Sequence, residues 1–113
     1  MRLLNCMTGE VLAEQVQVAE DFLSRLIGLM GRKTMADGSA LILRPCRSVH
    51  TFFMRFNIDL VFLDRRGMVV HLIKDMPPFR ISPVVMRASL VIELPGGTVR
   101  NRLRPGDVLQ MID

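Results

Sequence analysis

The stretch IDLVFLDRRGMVVHLIK, residues 58–74, contains the two clearest strand patterns in the chain. Residues 58–63 and 68–74 are short runs rich in Val, Ile, Leu and Phe, which is a composition typical of β-strands. The four residues between them end in Gly67, and glycine readily adopts the positive φ that tight hairpin turns require. The stretch therefore predicts a β-hairpin whose turn lies at residues 64–67.

Short strands separated by glycine and proline continue on both sides of this hairpin. Strand-like runs lie at residues 2–5, 11–18, 40–43, 90–94 and 108–112, with one helical turn expected at 98–103. Prolines 77, 78 and 83 make the segment that follows the hairpin extended and irregular. Short strands at this spacing predict a mainly β domain, either a small antiparallel, partly open β-barrel or a sandwich.

One amphipathic helix is expected at about residues 21–30, in the sequence DFLSRLIGLM. Its apolar residues form one broad stripe at helical spacing, which predicts that the stripe packs on a sheet. Gly31 is suited to end the helix in a left-handed conformation. Gly28 lowers the helix propensity, and a close approach to the backbone of the sheet would explain its presence.

The composition fits a single domain that covers residues 1–113. Half of the residues are hydrophobic and 23% are charged, as in ordinary globular domains. The formal net charge is +4, but the basic residues are scattered along the sequence. We therefore do not expect the protein to bind nucleic acid. The densest basic group, Arg100, Arg102 and Arg104, is interpreted as a solvated face.

The sequence also limits the compartment and the cofactors that we expect. The first residues lack the apolar core of a signal peptide, and no apolar run approaches the ~20 residues that span a bilayer, so a cytoplasmic protein is expected. Cys6 and Cys46 are then free thiols. Cys46 and His50 supply only two of the four ligands of a structural zinc site, and we expect neither a metal nor another cofactor.

Polar residues interrupt apolar elements at four places, and these are the candidate site residues. His50 and Asp59 lie in SVHTFFMRFNIDLVFLD, residues 48–64, Arg25 lies in the helix, and Glu93 lies in an apolar strand. A buried carboxylate needs a partner or an opening onto a cleft. A turn between His50 and Asp59 would pair them, as in acid–base sites, whereas separate hydrogen bonds to backbone groups are the alternative.

Four segments together resemble the family called domain of unknown function 192. They are SRLIGLMGR (24–32), RPCRSVHTFFMRFNIDLVFLD (44–64), LVIELPGGTV (90–99) and LRPGDVL (103–109), in this order. The resemblance extends from about residue 11 to residue 111 and implies a compact, mainly β domain with one helix. It implies no established reaction. Asn57 departs from the family pattern, which often has proline at that position.

These observations predict a small domain that binds a small ligand or a protein partner at a cleft near residues 48–59. Its predicted ligand-binding residues are Arg25, Met30, His50, Phe52, Phe53, Met54, Asp59 and Glu93. One alternative is a hydrolase-like acid–base enzyme in which His50 acts with Asp59 or Glu93. Another is a purely structural module that docks on a partner through an exposed Met and Phe patch. The sequence leaves open whether the protein is an enzyme.

Overall fold

The protein, represented by a computed structural model covering residues 1–113, consists of eight strands and one short helix. The elements in chain order are β1 (Arg2–Asn5), β2 (Val11–Ala13), β3 (Gln15–Ala19), α1 (Phe22–Ile27), β4 (Ser39–Leu43), β5 (Ile58–Leu63), β6 (Val69–Met76), β7 (Leu90–Pro95) and β8 (Leu109–Ile112). The predicted helical turn at 98–103 is instead a succession of turns. The mainly β class predicted from the sequence is confirmed.

The strands form two sheets and no closed barrel. The larger sheet has the order β3-β4-β7-β5-β6, and the smaller one has the order β2-β1-β8. All pairs are antiparallel except β3 and β4, which run parallel from Gln15 beside Ser39 to Ala19 beside Leu43. The sandwich arrangement is thus the correct one of the two predicted, although an all-antiparallel pattern is wrong. A parallel pair requires a long crossover, and the segment 20–38, which contains α1, provides it.

The hairpin of residues 58–74 joins β5 to β6 as predicted. Gly67 has φ 81° at the end of its turn. A Cβ atom on Gly67 would lie 2.7 Å from the carbonyl oxygen of Leu109, so a larger residue would collide with the backbone. The Asp64 Oδ1 atom accepts hydrogen bonds from the backbone N–H groups of Arg66 and Met68. This is the local bonding by which aspartate favours turns.

The predicted strand at 11–18 is divided between the two sheets. Residues Val11–Ala13 belong to the small sheet and Gln15–Ala19 to the large one. At the junction, the backbone N–H groups of Glu14 and Gln15 both donate to the carbonyl oxygen of Gly38. This strand change explains why polar residues interrupt the apolar pattern at this point.

The large sheet is covered on both faces, which explains why all six residues of β5 are buried. Val61 and Leu63 point into the core between the two sheets. Ile58, Leu60 and Phe62 point into a second core on the opposite face. Because successive strand residues alternate between faces, β5 contributes to both cores in turn. Loops that contain residues 44–57 and 77–88, together with the segment after α1, close the second core.

The helix is shorter and more exposed than the sequence predicts. Asp21 caps its first turn, since Asp21 Oδ1 accepts the Ser24 N–H at 2.8 Å, and the Gly28 N–H ends it by donating to Ser24 O. No residue of α1 is buried, so the prediction of a packed apolar stripe is wrong. Only Leu29, just beyond the helix, enters the core. The structure contains no helix that is long and apolar enough to cross a membrane.

Candidate functional site

Glu93 is the most unusual polar residue of the structure. Its side chain on β7 is fully buried, and neither carboxyl oxygen has a hydrogen-bond partner. Burial raises the pKa of Glu93 from its ordinary value to about 8, and the charge of Arg32 offsets only part of this effect. At neutral pH the carboxyl group is therefore mostly protonated and can both donate and accept a hydrogen bond.

Strand alternation places Glu93 on the face of the second core. Ile92 and Leu94, its neighbours in sequence, belong to the core between the sheets. Across the sheet, Glu93 lies beside Leu41 of β4 and Leu60 of β5, which are both apolar. No neighbouring strand therefore offers a side-chain partner to the carboxyl group, and only the cover over this face remains.

A cavity of about 300 Å³ opens beside Glu93. It lies between the large sheet, the exposed helix α1 and the loop that leads from β4 to β5. Half of the lining residues are hydrophobic, and the polar ones include two arginines. The cavity is lined by Phe22, Arg25, Leu26, Ile27, Gly28, Leu43, Pro45, Cys46, Arg47, Ser48, Val49, His50, Met54 and Glu93.

Gly28 brings the end of α1 close to the buried carboxyl group. A Cβ atom on Gly28 would lie 3.3 Å from Glu93 Oε1. The Gly28 backbone has φ 48° and ψ −118°, a conformation that side chains disfavour. The expected close approach of Gly28 to the sheet is therefore present, although Gly28 ends the helix and does not lie within it.

His50 fastens the helix to the loop on the other side of the cavity. Its Nδ1 atom accepts the Phe52 N–H at 3.2 Å, and its Nε2 atom lies 3.0 Å from the carbonyl oxygen of Leu26. Because a backbone N–H can only donate, Nδ1 is unprotonated and Nε2 carries the proton that Leu26 O accepts. Both ring nitrogens are thus bonded to backbone groups, and neither is bonded to a carboxylate.

The two arginines at the cavity keep part of their donor capacity free. Arg25 Nη1 donates to Pro45 O at 3.0 Å, and Arg47 Nε donates to Ala88 O at 3.2 Å. Neither forms a salt bridge. Since a guanidinium group has five donors, the remaining N–H groups can face a ligand at the cavity.

Four of the eight residues predicted to bind a ligand line the cavity, and four do not. The lining includes Arg25, His50, Met54 and Glu93. Met30, Phe52, Phe53 and Asp59 lie outside it. The lined segment of the loop begins at Leu43 and ends at Met54, earlier in the chain than the predicted cleft at residues 48–59.

Asp59 lies on the other face of the sheet from Glu93. It stands opposite Leu94 in the sheet, while Leu60 stands opposite Glu93. The Asp59 carboxylate is fully buried and accepts backbone N–H groups from Asp75 at 2.7 Å, Val99 at 2.7 Å and Gly97 at 3.4 Å. His50 and Asp59 are each bonded to backbone groups, the alternative to a direct pair that the sequence left open.

Cys46 shows no sign of an activated nucleophile. Burial raises the pKa of its thiol, and the Sγ atom lies 3.1 Å from Ser48 O. His50 and Cys46 both line the cavity but are not bonded to each other. The structure assembles no group of three or more His, Cys, Asp or Glu side chains suited to hold a metal ion.

The cavity is also lined by residues of α1 and of the first part of the loop between β4 and β5. The sequence did not predict these residues as part of a site. The helical periodicity places Phe22, Leu26 and Ile27 in a buried stripe, but they are exposed at the cavity. Ser48 and Val49 carry no site signal of their own. The signal that could have found this region is the pairing of Gly28 with an isolated glutamate in an apolar strand, since both imply a close approach.

A family model and several relatives match this chain. The model DUF192, described as "Uncharacterized ACR", matches residues 4–111. UPF0127 protein PH1112 of Pyrococcus horikoshii is 34% identical over 80% of this chain and 80% of its own length. UPF0127 protein PF1050 of Pyrococcus furiosus is 33% identical over 86% of this chain and 85% of its own length.

Two crystal structures have the same fold. A protein of unknown function from Novosphingobium aromaticivorans superimposes with a TM-score of 0.83 at 19% identity, over 97% of this chain and 82% of that one. A Sinorhizobium meliloti protein described as a "putative transcription regulator" superimposes with a TM-score of 0.79 at 27% identity, over 96% of this chain and 89% of that one.

Proposed function

This chain belongs to the DUF192 family, a family of uncharacterised small domains. We therefore propose its function from the geometry of the candidate site. We infer that the protein binds a small, mostly apolar molecule in the cavity beside Glu93. The molecule would carry one neutral polar group that both donates and accepts a hydrogen bond. A primary amide or a hydroxyl group has this property.

The observation that carries this proposal is that Glu93, a residue lining the cavity, has two buried carboxyl oxygens without a hydrogen-bond partner. A buried polar group without a partner typically costs about 1–3 kcal/mol, and most native structures avoid it. A ligand that supplied the missing hydrogen bonds would recover this free energy on binding. Glu93 would therefore act as the polar anchor of an otherwise apolar site.

The protonation of Glu93 supports a neutral ligand group. With its pKa near 8, the carboxyl group presents one O–H donor and one carbonyl acceptor at neutral pH. A primary amide can bond to both at once. A charged ammonium group could donate only to the carbonyl oxygen and would leave the O–H without an acceptor, and a carboxylate ligand could accept only the single O–H.

The size and the walls of the cavity support a ligand of modest size. Its volume of about 300 Å³ lies at the lower end of the range of small-molecule sites. Leu26, Val49 and Met54 line the cavity and can supply apolar contacts to a ligand. Arg25 and Arg47 can contact a polar end of the ligand that extends toward solvent.

A matched series of small compounds tests the proposal. An amide, an alcohol, an amine and a nitrile on one common branched alkyl body differ only in their polar group. Each is titrated at about pH 6, below the pKa of Glu93, while the amide signals of Gly28 and Val49 are followed by NMR. We expect the amide to bind about tenfold more tightly than the nitrile, which can only accept.

The variant Glu93→Leu separates the anchor from the cavity. In this variant the preference for the amide over the nitrile should disappear, while apolar contacts persist. The same substitution at the exposed Glu14 is the matched control and should leave the preference unchanged. The proposal is contradicted if Glu93→Leu still prefers the amide compound. It is also contradicted if no compound shifts the backbone NMR signals of Gly28 and Val49.

Two further expectations remain predictions at this point. The cytoplasm is the compartment that the sequence indicates, and a small molecule is favoured over nucleic acid as the partner. Fractionation of cells that produce the full chain would test the first. Competition between the tightest compound of the series and nucleic acid would test the second.

A further inference from the structure

One face of the protein is apolar and mainly basic, and the acidic side chains of Asp21 and Asp75 lie at its edge, bonded to Ser24 and Asn57. It is formed by the segments 22–35, 45–57 and 77–87, which contain seven basic residues and no aspartate or glutamate. Ten of the twelve large hydrophobic residues that are exposed lie in these segments. These ten residues are Phe22, Leu23, Leu26, Ile27, Phe52, Phe53, Phe79, Ile81, Val84 and Met86. We call this surface the apolar-basic face.

Backbone hydrogen bonds hold the three segments together. Phe53 O accepts the N–H of Gly31, which joins the segment after α1 to the loop before β5. The Thr51 N–H donates to Arg80 O, and Thr51 O accepts the Phe79 N–H. The Thr51 hydroxyl group adds a bond to Pro77 O at 2.8 Å. These bonds place the three segments next to one another.

Phe53 and Phe79 are held outward in strained backbone conformations. Their φ angles are 62° and 61°, in the left-handed region that bulky residues rarely adopt. Both side chains are more than half exposed, and their rings lie 5.9 Å apart. Such strain persists only where the surrounding structure imposes it, and it is concentrated at functional sites. In this protein the surrounding bonds of Thr51 keep two aromatic rings in solvent.

We propose that the apolar-basic face docks on the surface of an anionic lipid membrane. The bare hydrophobic side chains would enter the boundary between headgroups and acyl chains, and the surrounding basic residues would contact anionic headgroups. The basic residues of the three segments are Arg25, Arg32, Lys33, Arg47, Arg55, Arg80 and Arg87. The occupant is a lipid surface and differs from the ligand of the cavity, although the two sites share Phe22, Arg25, Leu26, Ile27 and Arg47.

Charge complementarity favours a lipid surface over other occupants. A bilayer rich in anionic lipids presents charges of one sign over its whole area, and the three segments of this face contribute seven basic residues and no acidic one. Protein interfaces, in contrast, pair charges of both signs across a less charged centre. Six of the ten exposed apolar residues are not aromatic, whereas single-stranded nucleic acids would require aromatic rings for stacking.

The lack of tryptophan in this chain permits a sharp experiment. Single variants Phe79→Trp and Met7→Trp place one fluorophore on the apolar-basic face or far from it, at a residue of similar exposure. Each is mixed with vesicles of phosphatidylcholine alone or with about 30% phosphatidylglycerol. We expect a blue shift only for Phe79→Trp and only with the anionic vesicles.

Vesicle sedimentation then measures the contribution of each group of residues. The double variant Phe53→Asn/Phe79→Asn removes the rings while keeping residues that tolerate positive φ, so the fold should survive. We expect its partition onto anionic vesicles to fall more than about tenfold. Arg55→Glu/Arg80→Glu should weaken binding similarly, whereas Arg104→Glu, outside the face, should have a small effect.

Several outcomes would overturn the proposal. They are the absence of sedimentation, equal sedimentation with neutral vesicles, and binding of the asparagine variant as tight as that of the wild type. Light scattering at the same concentrations tests one more outcome. If the wild type forms a dimer and the asparagine variant is a monomer, the face binds a second copy of this chain and not a membrane. Tighter binding to single-stranded DNA than to vesicles would assign it to base stacking.

Discussion

Gly28 lies against the carboxyl group of Glu93, so that the residue ending α1 forms part of the cover over a fully buried acid. A methyl group added to Gly28 would lie 3.3 Å from Glu93 Oε1, tighter than an ordinary van der Waals contact. The relationship joins the exposed helix to the strand β7. The end of the helix therefore leaves little space beside the carboxyl group.

Gly28→Ala should therefore destabilise the protein. The φ and ψ angles of Gly28 disfavour any side chain, and the new methyl group would press on Glu93. We expect the free energy of unfolding in urea to fall by about 2–3 kcal/mol. Gly9→Ala is the matched control, since Gly9 has φ 79° with nothing within 4 Å, and it should lose only about 1 kcal/mol. Equal losses would show that the contact with Glu93 contributes nothing.

The buried carboxyl group of Glu93 should make stability fall as pH rises. Between the ordinary glutamate pKa of 4.5 and the folded-state pKa of about 8, the folded state keeps a proton that the unfolded state has released. The folded state then binds more protons, so the free energy of unfolding decreases with pH, by up to about 1.4 kcal/mol per pH unit. Urea denaturation of the wild type at several pH values measures this slope.

Glu93→Leu should remove the pH dependence and raise stability at high pH. At about pH 8 we expect the variant to exceed the wild type by several kcal/mol, on the order of the full ionisation cost, and by much less at about pH 5. Glu14→Leu, at an exposed position, should keep the slope of the wild type. A slope that persists in Glu93→Leu would place its origin in another group.

Asp59→Asn should damage the fold without altering the cavity. The amide group of asparagine would direct N–H donors at backbone N–H groups, where the carboxylate now accepts three hydrogen bonds. We expect a loss of about 2–4 kcal/mol in the free energy of unfolding, because charged and buried hydrogen bonds are affected. Asp75→Asn, whose exposed carboxylate accepts only the Asn57 side chain, should lose far less.

The cavity provides the second measurement for Asp59→Asn. If Asp59 only holds the backbone, the variant that remains folded should bind the preferred amide compound with unchanged affinity. A large loss of affinity with little loss of stability would instead return Asp59 to the binding site.

His50→Ala should loosen the helix from the loop. The substitution removes the bond from Nε2 to Leu26 O and the bond from the Phe52 N–H to Nδ1. We expect hydrogen exchange at the Arg25 and Gly28 amides to accelerate about tenfold, because α1 has no buried residue to hold it. His71→Ala, which removes the other histidine from a strand where it packs on Phe62, should leave these amides unchanged. If hydrogen exchange at these amides is unchanged in both variants, His50 does not hold α1 to the loop.

The elements of the fold that depend on local signals are predictable from the sequence. The hairpin of residues 58–74 carries a glycine that its turn requires, and its apolar runs match strands β5 and β6. The strand change at Glu14 is not predictable, because it depends on the carbonyl group of Gly38 in another segment. The exposure of α1 also escapes prediction, since a periodic apolar stripe looks the same whether it covers a core or a surface.

The candidate site, like the fold, is predictable from the sequence only in part. Glu93 and Asp59 are both carboxylates in apolar strands, and the sequence alone indicates that each needs a partner. Which one faces the cavity depends on the order of strands β4, β7 and β5, which are distant in sequence. Asp59 meets the turn at residues 96–99, whereas Glu93 meets the end of α1. The distinction lies in long-range pairing that no local pattern encodes.

The small sheet has a consequence for the order of folding. Strand β1 lies between β2 and β8, and the Asn5 side chain donates to Arg102 O and Asp107 Oδ2, about a hundred residues along the chain. During synthesis, β1 must therefore wait with one edge unpaired until β8 has emerged. Such distant contacts slow folding because a long loop must close first. The hairpin of β5 and β6 can form well before that, so the small sheet should be the last part of the sandwich to close.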